Sequence, residues 1–186
     1  MNIAVLGEHS IDISRLAGCP SVLDVGCRGF SFGDALRLHR PFAFIHELDI
    51  DDLNTARPYT RAGLANFNGC VGCSGDADPQ ARHIIPSGMI PCYTIDTYSH
   101  MSGIQQWDVV KLDCEGAEYK ILEAFDRPWA KQLSVEFHQH TPQRRNWEDI
   151  DAILAHLSKW YDVVQHVREP RHGCGDNYWD TLVIAR

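Results

Sequence analysis

The chain has 186 residues, 44% hydrophobic and 23% charged, with a formal net charge of −8. That length suffices for one well-buried core and not for two comfortable domains, so residues 1–186 read as a single domain. The negative balance excludes a general binder of nucleic acid or membrane surface, since both are themselves negative.

No apolar run approaches the roughly 20 residues that span a bilayer. The opening MNIAVLGEHS lacks the basic region of a signal peptide. Seven cysteines are scattered, several of them, such as Cys92 and Cys114, inside apolar segments. That favours reduced thiols in a cytoplasmic protein over a disulfide framework. Cys70 and Cys73 form a C-x-x-C, but no second pair at zinc-site spacing accompanies it, so no metal is expected there. A local basic patch is confined to Arg144 and Arg145.

Taken in order, Met1–Leu6 reads as a short strand or a cover, and Ile11–Leu16 as a short amphipathic helix with Ser10 as its cap. Ser21–Gly33, SVLDVGCRGFSFG, is the first strong segment. Val22, Leu23 and Val25 make a buried strand; Gly26 and Gly29 make a turn; Phe30 opens a helix through His39. A strand that breaks into a glycine turn and re-enters a helix brings backbone N–H groups close to a ligand. The dinucleotide fingerprint G-x-G-x-x-G fails, because Arg28 stands where its second glycine belongs, and the phosphate-cradling G-x-x-x-x-G-K-[ST] is absent. The acid Asp24, two residues before the turn, disfavours a pyrophosphate and suits a ligand bearing an amino group.

Phe42–Leu48 is a second buried strand ending in His46-Glu47-Leu48-Asp49. Glu47 follows the glycine turn by about 20 residues, the distance at which a neighbouring parallel strand presents a carboxylate to a ribose diol. Asp51–Arg61 reads as an interrupted helix, Ala65–Ser74 as a third strand, Gly75–Gly88 as a loop, Met89–Ile95 as a short strand and Asp96–Gln106 as a connector with a helical turn. Trp107–Phe125, WDVVKLDCEGAEYKILEAF, is the second strong segment: a strand through Leu112, a turn over Asp113–Glu118, then a helical face of Ile121, Leu122 and Phe125. Gln132–Phe137 is another strand, after which period-two alternation puts Glu136, His138 and His140 on one face. Asn146 caps a helix lined by Trp147, Ile150, Ile153, Leu154 and Leu157. Trp160–Val167 and Tyr178–Ala185 form a closing antiparallel pair. This order predicts an α/β fold: a mostly parallel, doubly wound sheet with helices on both faces and a C-terminal antiparallel strand pair. In such a sheet ligands lie beyond the carboxyl ends of the strands, which places Gly26, Gly29, Glu47, Asp113, Glu115 and Glu118 on one rim.

The pattern resembles the FkbM-type methyltransferases. The resemblance rests on VLDVGCRGFSFG at Val22–Gly33, AFIHELD at Ala43–Asp49, YTIDTY at Tyr93–Tyr98, VVKLDCEGAEYKIL at Val109–Leu122 and the closing NYWDTLVIAR at Asn177–Arg186. It departs at Glu47-Leu48, where the family has Glu-Pro, and in leaving little room for a substrate-binding cap. The resemblance implies a Rossmann-like class I methyltransferase fold, S-adenosyl-L-methionine as cofactor, and O-methylation of a sugar or natural-product hydroxyl.

On that reading Asp24 orients the methionine amine, N–H groups around Gly26, Cys27, Arg28 and Gly29 face its carboxylate, Glu47 and Leu48 meet the ribose, and Ser74 lies near the adenine. Asp113 belongs both to this cofactor set and to a catalytic set with Glu115, Glu136 and His138, which orient and deprotonate the acceptor. Other readings stay open: metal-assisted O-methylation with Asp113, Glu136 and His138 around a divalent ion; a cofactor-binding regulatory module without turnover; and, opposed by Arg28, a nicotinamide enzyme.

Overall fold

The structure is a computed structural model that describes residues 1–50, 53, 55–61, 63–66, 69–70, 92–114, 116–138, 145–170 and 177–186. Its centre is a seven-stranded sheet. The strands are β3 (Ser21–Val25), β4 (Phe44–Asp49), β5 (Thr60–Arg61), β9 (Trp107–Leu112), β10 (Ala130–His138), β11 (Tyr161–Pro170) and β12 (Asn177–Ala185). They lie in the order β11-β12-β10-β9-β3-β4-β5. The contacts from β10 through β9, β3 and β4 to β5 are parallel, and β12 runs antiparallel to both its neighbours. β11 therefore shares the direction of the other strands, and the expected closing pair is a reversed strand inserted between two parallel ones.

The expected α/β class is borne out, and alternation along the strands explains its two cores. Val22 on β3 and Val109 on β9 join Phe32 and Leu36 of helix α1 (Ser31–His39) in one cluster. Leu23, Val25, Val110 and Leu112 face the other way. There they meet residues of α2 (Ile95–Ser102), α3 (Glu118–Glu123) and α4 (Trp147–Leu157). Residues two apart point to one face, so each central strand feeds both clusters. The α4 helix opens on a capping box: the Asn146 side chain accepts from Glu148 and Asp149 N–H groups, and Asp149 accepts in return from the Asn146 N–H.

The N-terminus departs from expectation. β1 (Ile3–Leu6) pairs antiparallel with β2 (His9–Asp12), and the predicted helix over Ile11–Leu16 reduces to a 3-10 turn at Ile13–Arg15. Its cap is Asp12, which accepts from Ser14 N, not Ser10. The reason lies across the sheet. Gln132 of β10 accepts from Asp12 N and donates to Asp12 O, so it pairs with β2 through its side chain as a strand would through its backbone. The hairpin thus covers the α1 face over β10 and β12.

Smaller differences follow from tertiary contacts. The helix expected over Asp51–Arg61 is absent from the described residues 55–61, which turn and enter β5. The third strand expected over Ala65–Ser74 is represented by β6 (Gly63–Asn66) and β7 (Gly69–Cys70), which form a separate three-stranded sheet with β8 (Cys92–Thr94). The loop expected over Gly75–Gly88 and the Cys70–Cys73 pair lie outside the described residues. The connector expected after Ile95 is the full helix α2, capped by Thr94 and ended by Gly103. Arg145 of the expected basic patch is engaged by Glu123 at 2.9 Å and Asp149 at 3.5 Å, and Arg144 lies outside the described residues. Among the described residues no helix is long and apolar enough to cross a membrane.

Candidate active site

Connections leave β3 toward β4 on one side and β9 toward β10 on the other, so the crevice between β3 and β9 is the switch point of the sheet. Both strands end there in tight turns that touch. Asp113 N donates to Val25 O at 3.2 Å, and Gly26 N and Cys27 N donate to Leu48 O at 2.9 and 3.2 Å. Gly26 has φ +75°, and a Cβ on it would sit 1.7 Å from the Asp113 carbonyl oxygen, so no larger residue fits. Gly29 has φ +76° for the opposite reason of space: nothing lies within 4 Å of an added Cβ, so the backbone is open to a ligand. Phe30 also takes a left-handed conformation, φ 57°, with the Arg57 guanidinium stacked 4.3 Å over its ring. A bulky residue rarely pays for that backbone, and here it turns the chain directly into α1.

Below the turns lies Lys111, 3% exposed. Its Nζ donates to Gly26 O at 2.6 Å and sits 3.1 Å from Asp24 Oδ1 and 3.3 Å from Asp113 Oδ2. Strand register makes this contact, since Asp24 and Lys111 are partners across β3 and β9. Burial acts to lower the lysine pKa, but the two carboxylates outweigh it and hold the ammonium charged well above its ordinary value. Burial acts to raise Asp113, but the Lys111 ammonium beside it outweighs this and holds the carboxyl well below the usual range. Asp113 is an anion and a poor proton acceptor.

The structure brings Glu136 and His138 to the same place. His138 Nε2 lies 3.5 Å from Asp113 Oδ1, and Glu136 Oε1 lies 3.9 Å from His138 Nε2. His138 Nδ1 lies 2.9 Å from Glu118 Oε1, which also accepts from the His138 backbone N–H, while Glu118 Oε2 accepts from Gly116 N. A carboxylate partner at Nδ1 assigns the ring proton there and turns the Nε2 lone pair toward Asp113. Burial also pushes the Cys27 and Cys114 thiols well up, so neither is a nucleophile at neutral pH.

Two residues escaped the sequence reading. His9, 3% exposed on β2, places Nε2 3.5 Å from Asp113 Oδ2 and 3.9 Å from Glu136 Oε2. No local motif marks it; only the fold of the hairpin over β10 brings it in. Asp49 stands at the end of β4 on the same face as Glu47, 6% exposed. Glu47 itself lies one pleat back, with both carboxylate oxygens engaged by Arg57 and one also by Arg37 at 3.3 Å. Asp24 is fully buried against Lys111, Arg28 is exposed beside Gly29, and Leu48 contributes its carbonyl to the turn. Ser74, Glu115 and His140 lie outside the described residues.

Residues 80–167 match the model of the methyltransferase FkbM domain, so the resemblance is borne out over that stretch, which holds the Asp113–Glu118 turn but not the glycine turn. Among solved structures, the fibrillarin/Nop5p complex aligns with TM-score 0.50 and 10% identity, over 97% of this chain and 96% of that one. TrmK of M. capricolum, solved with S-adenosyl-homocysteine, aligns with TM-score 0.53 and 11% identity, over 94% of this chain and 66% of that one. No curated protein matches the chain. The fold is that of the class I S-adenosylmethionine-dependent methyltransferases.

Proposed function

We propose that the chain is an S-adenosylmethionine-dependent O-methyltransferase acting on a hydroxyl of a sugar or natural product. The observation that carries this reading is the contact of the Gly26 turn with the Asp113 turn at the switch point, open above Gly29 and walled by carboxylates. S-adenosylmethionine has an amine, a carboxylate, a sulfonium and a ribose diol, and no phosphate. An acid-lined glycine turn suits that set better than a pyrophosphate.

The residue roles follow from the hydrogen bonds. The N–H groups of Gly26 and Cys27 are spent on Leu48 O, so the methionine carboxylate falls to those of Arg28 and Gly29 and to the start of α1. Asp24 acts through Lys111, fixing the turn rather than touching the amine. We assign the diol to Asp49 at the strand end, with Glu47 holding Arg57 beneath Phe30. Ser74, near the adenine, and Glu115, in the catalytic set with Asp113, Glu136 and His138, complete the proposal from outside the described residues.

S-adenosylmethionine held here would supply a methyl carbon activated by its sulfonium: the acceptor oxygen would form the O–C bond as the S–C bonding pair returned to sulfur. Asp113, already ionised, orients the hydroxyl with Glu136, and His138 Nε2 takes its proton, its imidazolium steadied by Glu118. Methyl transfer from labelled cofactor to a panel of hydroxylated sugars and phenolic compounds tests this. His138→Ala is expected to lower kcat by about 10²–10⁴-fold with KM for the cofactor little changed. Turnover of the variant within twofold of wild type would remove His138 from the mechanism.

A further inference from the structure

We propose that His9, Asp113 and Glu136 form a binding site for a first-row divalent cation at the reactive end of the pocket. The proposal deepens the methyltransferase reading, on which its catalytic use rests, by naming what activates the acceptor hydroxyl.

The three residues come from β2, the turn after β9, and β10, so only the folded chain assembles them. Each offers one ligand atom, and these atoms all lie within 4.8 Å of one another. His9 Nε2 lies 3.5 Å from Asp113 Oδ2 and 3.9 Å from Glu136 Oε2. Ligands about 2.1 Å from a tetrahedral ion stand about 3.4 Å apart, so the two spacings from His9 are within about half an ångström of that geometry. The same spacings exceed the roughly 2.7–3.2 Å of a good hydrogen bond.

His9 supplies the independent observation. Its ring is buried, it points Nε2 into the cluster, and among the described residues its Nδ1 has no hydrogen-bond partner. A cation at Nε2 would make the Nδ1 N–H a stronger donor toward the carboxylate behind it. Behind it, Asp180 Oδ1 lies 4.0 Å from Nδ1; Asp180 Oδ2 accepts from Ser10 Oγ at 2.9 Å, and Ser10 Oγ accepts from Gln165 Nε2 at 2.9 Å. Metal-bound histidines characteristically donate their second ring N–H to such a carboxylate. Glu136 is 4% exposed whereas the Asp113 side chain is 26% exposed. Two ligands therefore form the floor and one the mouth, which leaves coordination positions facing the acceptor.

One imidazole with two carboxylates suits Mn²⁺ or Zn²⁺ better than Mg²⁺, which prefers oxygen ligands and keeps its water. Lys111 shares Asp113 Oδ2, which weakens the site and calls for micromolar rather than nanomolar affinity. A cation here lowers the pKa of a bound hydroxyl, so that His138 receives a proton already loosened.

The test is titration of the full chain with Mn²⁺ alone, following free Mn²⁺ by electron paramagnetic resonance. Wild type is expected to bind one ion per chain, and His9→Gln and Glu136→Gln each to weaken it at least about tenfold. Circular dichroism checks that each variant is folded, and Asp180→Asn, away from the ligands themselves, is expected to weaken binding in the same direction. No saturable binding by wild type at millimolar Mn²⁺, or wild-type affinity in both glutamine variants, overturns the proposal. Binding of S-adenosylhomocysteine, measured on the same samples, separates the two readings: retained without Mn²⁺ binding, it sinks the cation site alone; lost while Mn²⁺ binds, it sinks the methyltransferase reading.

Discussion

Gly26→Ala is expected to abolish cofactor binding and to cost at least about 3 kcal/mol of stability. Two effects add. The backbone at φ +75° is one that an L side chain adopts only at a cost of about 1–2 kcal/mol. The new methyl carbon would also meet the Asp113 carbonyl oxygen at 1.7 Å and the carbonyl carbon at 2.9 Å, both backbone atoms of the neighbouring turn. Relief requires the two turns to part. That breaks the Asp113 N–Val25 O bond, unseats Lys111 from Gly26 O, and moves Asp113 itself. Gly29→Ala is the control. Its φ is +76°, yet nothing lies within 4 Å of the added carbon, so its stability cost is only the backbone term of about 1 kcal/mol. Urea denaturation measures both. A Gly26→Ala protein as stable as Gly29→Ala would show that the turns do not pack as described.

Lys111→Met is expected to destabilise the fold by about 3–5 kcal/mol. Methionine nearly matches the lysine stem in volume, so the change removes the charge and leaves the packing. What remains is Asp24, fully buried, and Asp113, without their shared cation, and a Gly26 carbonyl that loses its donor. Breaking one side of a buried ion pair costs far more than the pair is worth, because the stranded charge stays desolvated. Adding Asp24→Asn to Lys111→Met is therefore expected to recover part of the loss, which a double-mutant cycle reads directly. Additive losses in the cycle would mean that Lys111 and Asp24 do not act on each other.

The central strands, α1, α4 and the closing strand pair were legible because each carries its own period. Val22, Leu23 and Val25, and Val109, Val110 and Leu112, put apolar side chains on both faces, as strands buried on both sides require. The Gly26 and Asp113 turns were legible for the same local reason, a strand that stops at a glycine or an acid. The N-terminal hairpin was not. Ile11 and Ile13 fit a strand and a helix equally well over so short a span, and the choice was made by Gln132, 120 positions away, bonding Asp12 through its side chain. His9 entered the site on that hairpin and could be found no other way. Glu47 and Asp49 show a different limit. Both are acids on one face of β4, and spacing alone favoured the first. Arg57, whose position depends on the route of the chain after β4, holds Glu47, which is why our reading gives the diol to Asp49.

The central claim is a pocket for a sulfonium nucleoside between the Gly26 and Asp113 turns. Thermal unfolding with S-adenosylhomocysteine and with NAD, side by side, tests it most directly. At a hundredfold excess over Kd, a ligand bound only by the folded chain adds about 2.7 kcal/mol, or roughly 5–10 °C in Tm for a chain of this size. S-adenosylhomocysteine should raise Tm by that amount in wild type and not in Gly26→Ala, and NAD should leave it unmoved. A shift with NAD and none with S-adenosylhomocysteine would contradict the account.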